Sequence, residues 1–296
     1  LDFINSPINP VIVQVSHLFF QAVVNLSENL NFARDMPGDT RIFGPKMNVE
    51  HEREYYNLPF LMLKKLPENI LIVGSGTGND VAAANRFNIK KIDAVEIDPV
   101  IANIGTKYHP EHPYDNDNVN LIIDDARAYI KSSNNSYDAI IYGLLDSQTN
   151  LSSKGGIRLD SYVYTIEAFK EAKSKLNEDG FIYISFFVQA PELGYKIYKM
   201  LEKSFGHKPI VFKSEVNDRY VFFSPKNGKI KLDKDKTKFF KSNDYFKKEQ
   251  LYHIDFSTDD WPFLYMPTKI YPLTYFSIII LLIVASVFFT NSIIKI

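Results

Sequence analysis

The chain has 296 residues with a formal net charge of −1, and it contains six histidines and no cysteine. The balanced charge provides no basic surface of the kind that binds nucleic acid, so we expect no nucleic-acid partner. Disulfides and thiolate metal sites are excluded, and the scattered histidines form no His-x-x-x-His pair, so we expect no metal site.

The first segment of the chain is rich in aromatic residues, and apolar and polar residues alternate in the run VIVQVSHLFFQAVV from Val11. Alternation with a period of two is typical of half-buried strands. Gly38, Gly44 and Pro45 interrupt the pattern as turn residues do. We therefore predict a small N-terminal β domain over residues 1–60.

Residues 61–225 alternate between short apolar runs and longer amphipathic runs, as in a doubly wound α/β sheet. The predicted strands are Asn69–Val73, Ile92–Ile97, Val119–Ile123, Tyr137–Tyr142 and Phe181–Phe187. The predicted helices are Pro99–Tyr108, Tyr162–Leu176 and Leu193–Phe205, followed by a hairpin of His207–Phe212 and Tyr220–Ser224. The fold class is therefore α/β, with a Rossmann-like sheet whose final strand is antiparallel.

The last part of the chain changes character twice. Residues 226–269 are rich in Lys and Asp and predict a polar linker or lid. Residues 270–294 carry no charge, and their run YFSIIILLIVASVFFT predicts a transmembrane helix, with Tyr271 and Tyr275 at one interface and Lys295 at the other. Because the chain lacks an initial methionine and stops directly after this run, we expect a piece of a longer membrane protein.

The most informative stretch is ILIVGSGTGND, in which an apolar strand from Ile70 leads into Gly74, Gly76 and Gly78 before a helix. Glycines in such a turn allow backbone N–H groups to approach a ligand closely. Glu96 lies about twenty residues beyond the loop, at the tip of the next strand, where a carboxylate can bind both ribose hydroxyls. The pattern predicts a nucleoside-bearing cofactor.

Details of the motif distinguish between nucleosides. A dinucleotide site has its third glycine one position later, where Asn79 stands, and no P-loop lysine follows. Asp124 and Asp125 follow the third strand and precede Ala126, and an acid there can accept a hydrogen bond from an adenine amino group. The alternative is that these acids only cap the next helix. The order of glycines, ribose acid and base acid indicates an S-adenosylmethionine-binding fold.

An ordered series of segments carries a family resemblance: HEREYYNLPF from His51, then GSGTGND, VEIDP, DDARAYI and YDAIIYGLLDS. With these segments the chain resembles the spermidine synthase superfamily, particularly its membrane-fused bacterial members, to which TDDWPFLY from Thr258 is also similar. The resemblance implies an N-terminal β domain, a catalytic Rossmann-like domain, and aminopropyl transfer from decarboxylated S-adenosylmethionine to a small amine in polyamine biosynthesis. We interpret the charged side chains of residues 51–54 as solvated.

The resemblance also implies roles for individual residues. The expected cofactor-binding residues are Gly74, Ser75, Gly76, Thr77, Gly78, Glu96, Ile97, Asp125 and Ala126. The expected catalytic residues are Tyr55, which matches a tyrosine near the amine channel, and Asp146, which matches the second acid of a motif after the fourth strand. A carboxylate at this strand tip can hold an amine and remove the proton that the nucleophile must lose.

Three positions depart from the family pattern, all on the amine side. The first acid of the same motif aligns with Gly143, the acid of the glycine loop aligns with Thr77, and a fifth-strand glutamine aligns with Ser185. Three functions therefore stay open: an aminopropyltransferase, a methyltransferase that uses intact S-adenosylmethionine, and a catalytically silent nucleoside-binding module that regulates its membrane domain. We expect a membrane location with the catalytic domain on the cytoplasmic side, where the cofactor is found. A homodimer is left open.

Overall fold

A computed structural model describes residues 11–15, 18–27, 49–145, 162–188, 190–247, 252–270 and 273–294. The strands are β1 Val11–Val15, β2 Leu18–Val23, β3 Asn69–Val73, β4 Lys91–Glu96, β5 Val119–Ile123, β6 Tyr137–Tyr142, β7 Leu176–Phe187, β8 Ile210–Ser214, β9 Arg219–Pro225 and β10 Phe240–Ser242. The helices are α1 Val49–Leu61, α2 Asn79–Arg86, α3 Pro99–Tyr108, α4 Ala126–Ser132, α5 Ile166–Ser174, α6 Pro191–Phe205 and α7 Leu273–Ile294, with short 3-10 helices at Pro113–Asp115 and Lys234–Lys236.

The centre of the fold is an eight-stranded mixed sheet with the order β10-β8-β9-β7-β6-β3-β4-β5. Strands β3 to β7 run parallel to one another, whereas β8, β9 and β10 pair in antiparallel fashion. The chain leaves β3 for β4 on one side and later returns to β6 on the other side. Open α/β sheets bind ligands at such a switch point, beyond the carboxyl ends of the strands. The predicted doubly wound α/β fold is confirmed.

Helices cover both faces of this sheet. Consecutive side chains of β7 alternate between two buried clusters, with Ile182 and Ile184 in one and Phe181 and Tyr183 in the other. The first cluster includes apolar side chains of α4, α5 and α6, and the second includes those of α1 and α2. Burial on both faces explains why the parallel strands are continuous apolar runs.

The N-terminal part differs from the prediction. Strands β1 and β2 form the expected antiparallel pair, but Val49–Leu61 is a helix within the range predicted as a β domain. Its buried residues include His51, Tyr55 and Leu58, and this spacing by four and three residues places them on one helical face. Acidic residues in the first turn also favour the helix because they lie at the positive end of its dipole.

The strand β7 also begins earlier than predicted. Residues 177–180, which were expected to end the preceding helix as a turn, belong to the strand, and the helix α5 already ends at Ser174. Leu176 pairs with Tyr137 of β6, and the register shifts before Phe181 pairs with Ala139. This irregularity accommodates the polar residues within a strand, and periodicity alone does not reveal it.

The segment predicted as a solvated linker is folded onto the domain. Within residues 226–269, β10 extends the sheet edge through β8, and Phe240, Phe246, Leu264 and Met266 are buried. The many lysines of this segment lower its average hydrophobicity. Single apolar side chains at intervals are nevertheless sufficient to pack the segment against the domain. The interpretation as a solvated linker is therefore wrong for these residues.

The last folded stretch before α7 is held by buried polar groups. The ammonium group of Lys196 donates hydrogen bonds to the carbonyl oxygens of Phe263 (2.9 Å) and Met266 (2.7 Å). Asp259 accepts from Arg127 (2.9 Å) and from the hydroxyl of Thr165 (2.7 Å). In the described part of the chain, α7 is the one helix long and apolar enough to cross a membrane, and none of its apolar window is buried.

Candidate active site

The glycine loop joins β3 to α2 at the carboxyl edge of the sheet. Gly74, Gly76 and Gly78 have φ angles of 65°, 58° and 100°, in the left-handed region that other residues rarely adopt. A Cβ atom on Gly74 would lie 1.8 Å from a methyl carbon of Leu145, and one on Gly78 would lie 2.5 Å from Pro113. The backbone and the tight packing both require glycine at these two positions.

Glu96 fixes this loop to the tip of β4. Its carboxylate accepts a hydrogen bond from the backbone N–H of Gly76 at 2.8 Å and another from that of Asp98 at 2.9 Å. Burial raises the pKa of Glu96, although the same backbone hydrogen bonds act in the opposite direction. Glu96 therefore lies where the sequence predicts a ribose acid, held in a defined orientation beside the glycine loop.

The glycine loop also contacts two residues, Tyr114 and Gly105, that were not identified from the sequence. The hydroxyl of Tyr114 donates to the carbonyl oxygen of Gly76 at 2.8 Å and lies 2.9 Å from Oγ of Ser75. A Cβ atom on Gly105 would lie 2.4 Å from the carbonyl oxygen of Thr77. A glycine inside the helix α3 was the available sequence signal, because an isolated helical glycine often marks a close backbone approach.

The predicted base-binding residues lie at the neighbouring strand tips. Asp125 is the N-cap of α4 and accepts a hydrogen bond from the backbone N–H of Ala128 at 2.8 Å. The capping alternative thus describes part of what Asp125 does, and its adenine contact stays a prediction. Ile97 follows β4, Ile123 ends β5, and both are about half exposed. Apolar side chains at a site edge suit a flat base. Ala126 begins α4.

Tyr55 lies on the other side of the loop, on α1. Its side chain is 3% exposed, its hydroxyl shares a short hydrogen bond with Oγ of Ser185, and the guanidinium carbon of Arg219 lies 4.3 Å from its ring centroid. Burial raises the pKa of Tyr55 well above its ordinary value. The hydroxyl consequently stays protonated at neutral pH and is not available as a base.

A buried network of charged side chains lies next to Tyr55, because Arg219, which packs on the Tyr55 ring, also pairs with Glu52. Both carboxylate oxygens of Glu52 lie 2.7 Å from the same nitrogen of Arg219, and the two ring nitrogens of His51 contact Glu52 (3.2 Å) and Ser214 (2.9 Å). Burial opposes the charge on Glu52, but Arg219 and His51 lower its pKa to about 2. The interpretation of residues 51–54 as solvated is therefore wrong for His51 and Glu52, which link α1 to the sheet.

Asp80 occupies the space in front of Gly143. A Cβ atom on Gly143 would lie 2.6 Å from Oδ2 of Asp80, and the three heavy atoms nearest to that position all belong to the Asp80 carboxyl group. Burial raises the pKa of Asp80 to about 7, against the opposing charge of Arg86 and a backbone hydrogen bond. No role was assigned to Asp80 from the sequence.

The structure thus brings the predicted site residues to one edge of the sheet in two groups. The glycine loop, Glu96 and Asp125 lie around the tips of β3, β4 and β5, whereas Tyr55 and Ser185 lie toward β7. Asp146 lies outside the described residues, so its catalytic role stays a prediction. In the described part of the chain no cluster of potential metal ligands is found.

Comparison with known families accounts for this arrangement. Residues 54–216, more than half of the chain, match the model of the spermine/spermidine synthase domain. The chain belongs to this family. The matched range includes Tyr55, the glycine loop, Glu96, Asp125, Gly143 and Ser185.

Individual relatives are similar over the same region. The polyamine aminopropyltransferase of Sulfolobus acidocaldarius is 30% identical over 165 residues, which cover 54% of this chain and 52% of the relative. That of Korarchaeum cryptofilum is 30% identical over 122 residues, covering 36% of this chain and 38% of the relative. The chain therefore spans about half the length, or less, of these relatives.

The structural similarity extends further along the chain. The spermidine synthase from Thermotoga maritima has a TM-score of 0.54 with 15% sequence identity, and the match covers 88% of this chain and 78% of that one. At this identity the similarity concerns the fold, which is the methyltransferase-like α/β fold expected for the spermine/spermidine synthase family.

Proposed function

We propose that the protein transfers an aminopropyl group from decarboxylated S-adenosylmethionine to a small amine, as a step of polyamine biosynthesis. The observation that carries this proposal is the family match over residues 54–216, which includes both the nucleoside side and the amine side of the site. The polyamine aminopropyltransferases among its relatives support the same reaction class.

The nucleoside side fits this donor. Gly74, Gly76 and Gly78 give the loop its left-handed backbone, and the carboxylate of Glu96 is oriented by two backbone N–H groups beside the loop. Oxygens of a carboxylate held in this way can accept from ribose hydroxyls. We assign donor binding to the loop, with Ser75, Thr77, Glu96, Ile97, Asp125 and Ala126. When bound, the donor supplies a carbon activated by a sulfonium.

The amine side must bring a neutral nitrogen in line with that carbon and exclude water. A protonated amine has no free electron pair, so a carboxylate is needed to bind it and accept its proton. Tyr55, whose hydroxyl stays protonated, orients the amine from the β7 side. Asp146 is proposed as a catalytic carboxylate of this side on the family resemblance alone.

We also propose that α7 anchors the protein in a membrane. Its window Leu273–Thr290 has a mean hydropathy of 2.4, and none of it is buried, which is unfavourable in water. We place the catalytic domain on the cytoplasmic side because its donor is cytosolic. Protease protection in sealed vesicles tests this: the catalytic domain should be protected in right-side-out vesicles and cleaved in inverted ones, and the reverse would contradict it.

Donor discrimination tests the proposed reaction. The detergent-solubilised protein is titrated by calorimetry with decarboxylated and with intact S-adenosylmethionine, and each donor is then incubated with a panel of diamines. We expect tighter binding of the decarboxylated donor, an aminopropylated amine and equimolar 5′-methylthioadenosine. Methylated product from the intact donor would instead identify a methyltransferase, and binding without turnover of any donor would identify a silent nucleoside-binding module.

A further inference from the structure

We propose that Asp80 binds the acceptor amine and accepts its proton, supplying from α2 the carboxylate that position 143 lacks. This inference rests on the proposed aminopropyl transfer and names the residue that serves the amine. It concerns a side chain that neither the family match nor the motif comparison assigns to the site.

Asp80 lies in the first turn of α2, directly after the glycine loop, so its carboxylate is next to the donor site. It fills the volume that any side chain on Gly143 would need, since Oδ2 lies 2.6 Å from the expected Cβ position. Unlike Gly74, Gly76 and Gly78, Gly143 does not have a left-handed backbone. Its missing side chain therefore serves to admit the Asp80 carboxylate at the tip of β6.

In the described part of the chain Asp80 forms no ion pair, and the cation that acts on it, Arg86, is committed to Glu111 at 2.6 Å and to Asn57. The other titratable groups that interact with Asp80 are the phenols of Tyr55, Tyr56, Tyr114 and Tyr183.

These phenols stay neutral because burial raises the pKa of each of them. Arg219, the cation behind Tyr55, is paired with Glu52. A partly buried carboxylate among neutral groups is unfavourable until a cation joins it. Such uncompensated acids cluster at functional sites, and a primary ammonium group is the cation that the proposed reaction provides.

The proton balance is complete with these groups. An ammonium R–NH₃⁺ transfers one proton to the Asp80 carboxylate, which leaves R–NH₂ with a free electron pair. That pair forms the new C–N bond as the C–S bond of the donor breaks, and the bonding electrons pass to sulfur, which becomes a neutral thioether. The product is a secondary ammonium, and Asp80 releases its proton to solvent before the next cycle. An acid with a pKa near neutrality suits both proton transfers.

Amine binding is measured separately from donor binding to test this role. The probes are 1,4-diaminobutane, titrated into protein saturated with 5′-methylthioadenosine, and 5′-methylthioadenosine itself. Asp80→Asn should weaken diamine binding by about tenfold or more, which corresponds to about 1.4 kcal/mol, and leave 5′-methylthioadenosine binding within about twofold. Asp179→Asn, which removes an exposed carboxylate from residues 177–180 of β7, is the matched control and should bind both probes normally.

Two further measurements keep the test decisive. Gly143→Ala should also weaken diamine binding, because the added Cβ displaces the Asp80 carboxylate while the loop glycines are untouched. Near neutral pH, calorimetry in buffers of different ionisation enthalpy should detect proton release on diamine binding to the parent protein and none in Asp80→Asn. Normal diamine affinity and turnover in either variant would overturn the inference, as would an equal loss of affinity for both probes in Asp80→Asn. If the parent protein binds diamines but converts none, the proposed reaction fails and the binding role of Asp80 stands.

Discussion

The carboxylate of Glu96 and the backbone N–H of Gly76 are joined by a hydrogen bond of 2.8 Å that links the tip of β4 to the glycine loop. A second bond, from the N–H of Asp98, holds the same carboxylate from its own strand end. The acid is therefore oriented before any ligand arrives, which lowers the cost of binding. Its position supports the proposal that this edge of the sheet holds a nucleoside.

We predict that Glu96→Gln weakens nucleoside binding. An amide offers only one acceptor oxygen to two N–H donors, so one donor loses its partner and the loop is no longer held in one orientation. The expected loss is about 1–3 kcal/mol, measured as the affinity for 5′-methylthioadenosine by calorimetry. Glu68→Gln is the control, because Glu68 is exposed and pairs with Lys90 on the surface. Equal affinity in Glu96→Gln and the control would show that the ribose is bound elsewhere.

A second prediction concerns the close approach of α3 to the loop. Gly105→Ala places a methyl group against the carbonyl oxygen of Thr77, where the available distance is only 2.4 Å. Overpacking of this kind costs about 1–3 kcal/mol. We expect part of this free-energy cost to be measured as weaker binding of 5′-methylthioadenosine. Thr106→Ala, on the same helix, removes a hydroxyl that bonds within α3 and should leave binding unchanged. If the two variants bind alike, Gly105 has no influence on the loop.

The network behind Tyr55 gives a stability prediction. Arg219→Met leaves the Glu52 carboxylate buried without its guanidinium partner and should lower the free energy of unfolding by about 3–5 kcal/mol. Adding Glu52→Gln to that variant should recover part of the loss, since no buried charge then remains. Denaturant unfolding in detergent measures both. If Arg219→Met alone is as stable as the parent protein, the assignment of this pair as buried is wrong.

The same pair predicts an acid dependence. The pKa of Glu52 is lowered from 4.5 to about 2 in the folded protein. Below pH 4.5 the unfolded chain binds a proton that the folded chain excludes, so stability falls as the pH drops from 4.5 toward 2. Glu52→Gln should lose this part of the acid dependence. An unchanged acid limb in the variant would mean that other carboxylates account for it.

Lys196 predicts a rise of stability with pH in a second, alkaline window. Burial lowers its pKa from 10.5 to about 7, so between pH 7 and 10.5 the unfolded chain binds more protons, and stability should rise with pH across this window. Lys196→Met should abolish the rise and increase proteolysis within residues 252–270, because two carbonyl oxygens lose their donor. Melting temperatures from pH 7 to 10 test this against Lys203→Met, an exposed lysine of the same helix. If the melting temperatures of the two variants change with pH in the same way, the predicted effect of Lys196 is contradicted.

Local sequence signals predicted the centre of the fold. The strands β3, β5 and β6 have the predicted bounds because short apolar runs between turn residues are sufficient to define a buried parallel strand. The glycine loop was also predictable from local sequence, because its positive φ angles restrict the choice of residue. The bond between Glu96 and Gly76 follows from the pairing of neighbouring parallel strands.

Features that depend on distant partners were not predictable. The helix α1 packs apolar side chains on one face of the sheet, and β10 pairs with β8 at the sheet edge. From the sequence, residues 1–60 were predicted as a β domain with residues 51–54 solvated, and residues 226–269 as a polar linker or lid. The relation between Asp80 and Gly143 arises only when α2 packs at the tip of β6. Alignment to the family pattern marked Gly143 as the loss of an acid, whereas the folded chain places another carboxyl group at the same point.

The most direct test of the account is the mass of the product formed from decarboxylated S-adenosylmethionine and ¹⁵N-labelled 1,4-diaminobutane by the purified protein in detergent. The account predicts a labelled triamine heavier than the substrate by one aminopropyl group, with one 5′-methylthioadenosine released per product and much slower formation by Asp80→Asn than by Asp179→Asn. A labelled amine that gains only a methyl group from intact S-adenosylmethionine, or no labelled product with any donor, would contradict aminopropyl transfer.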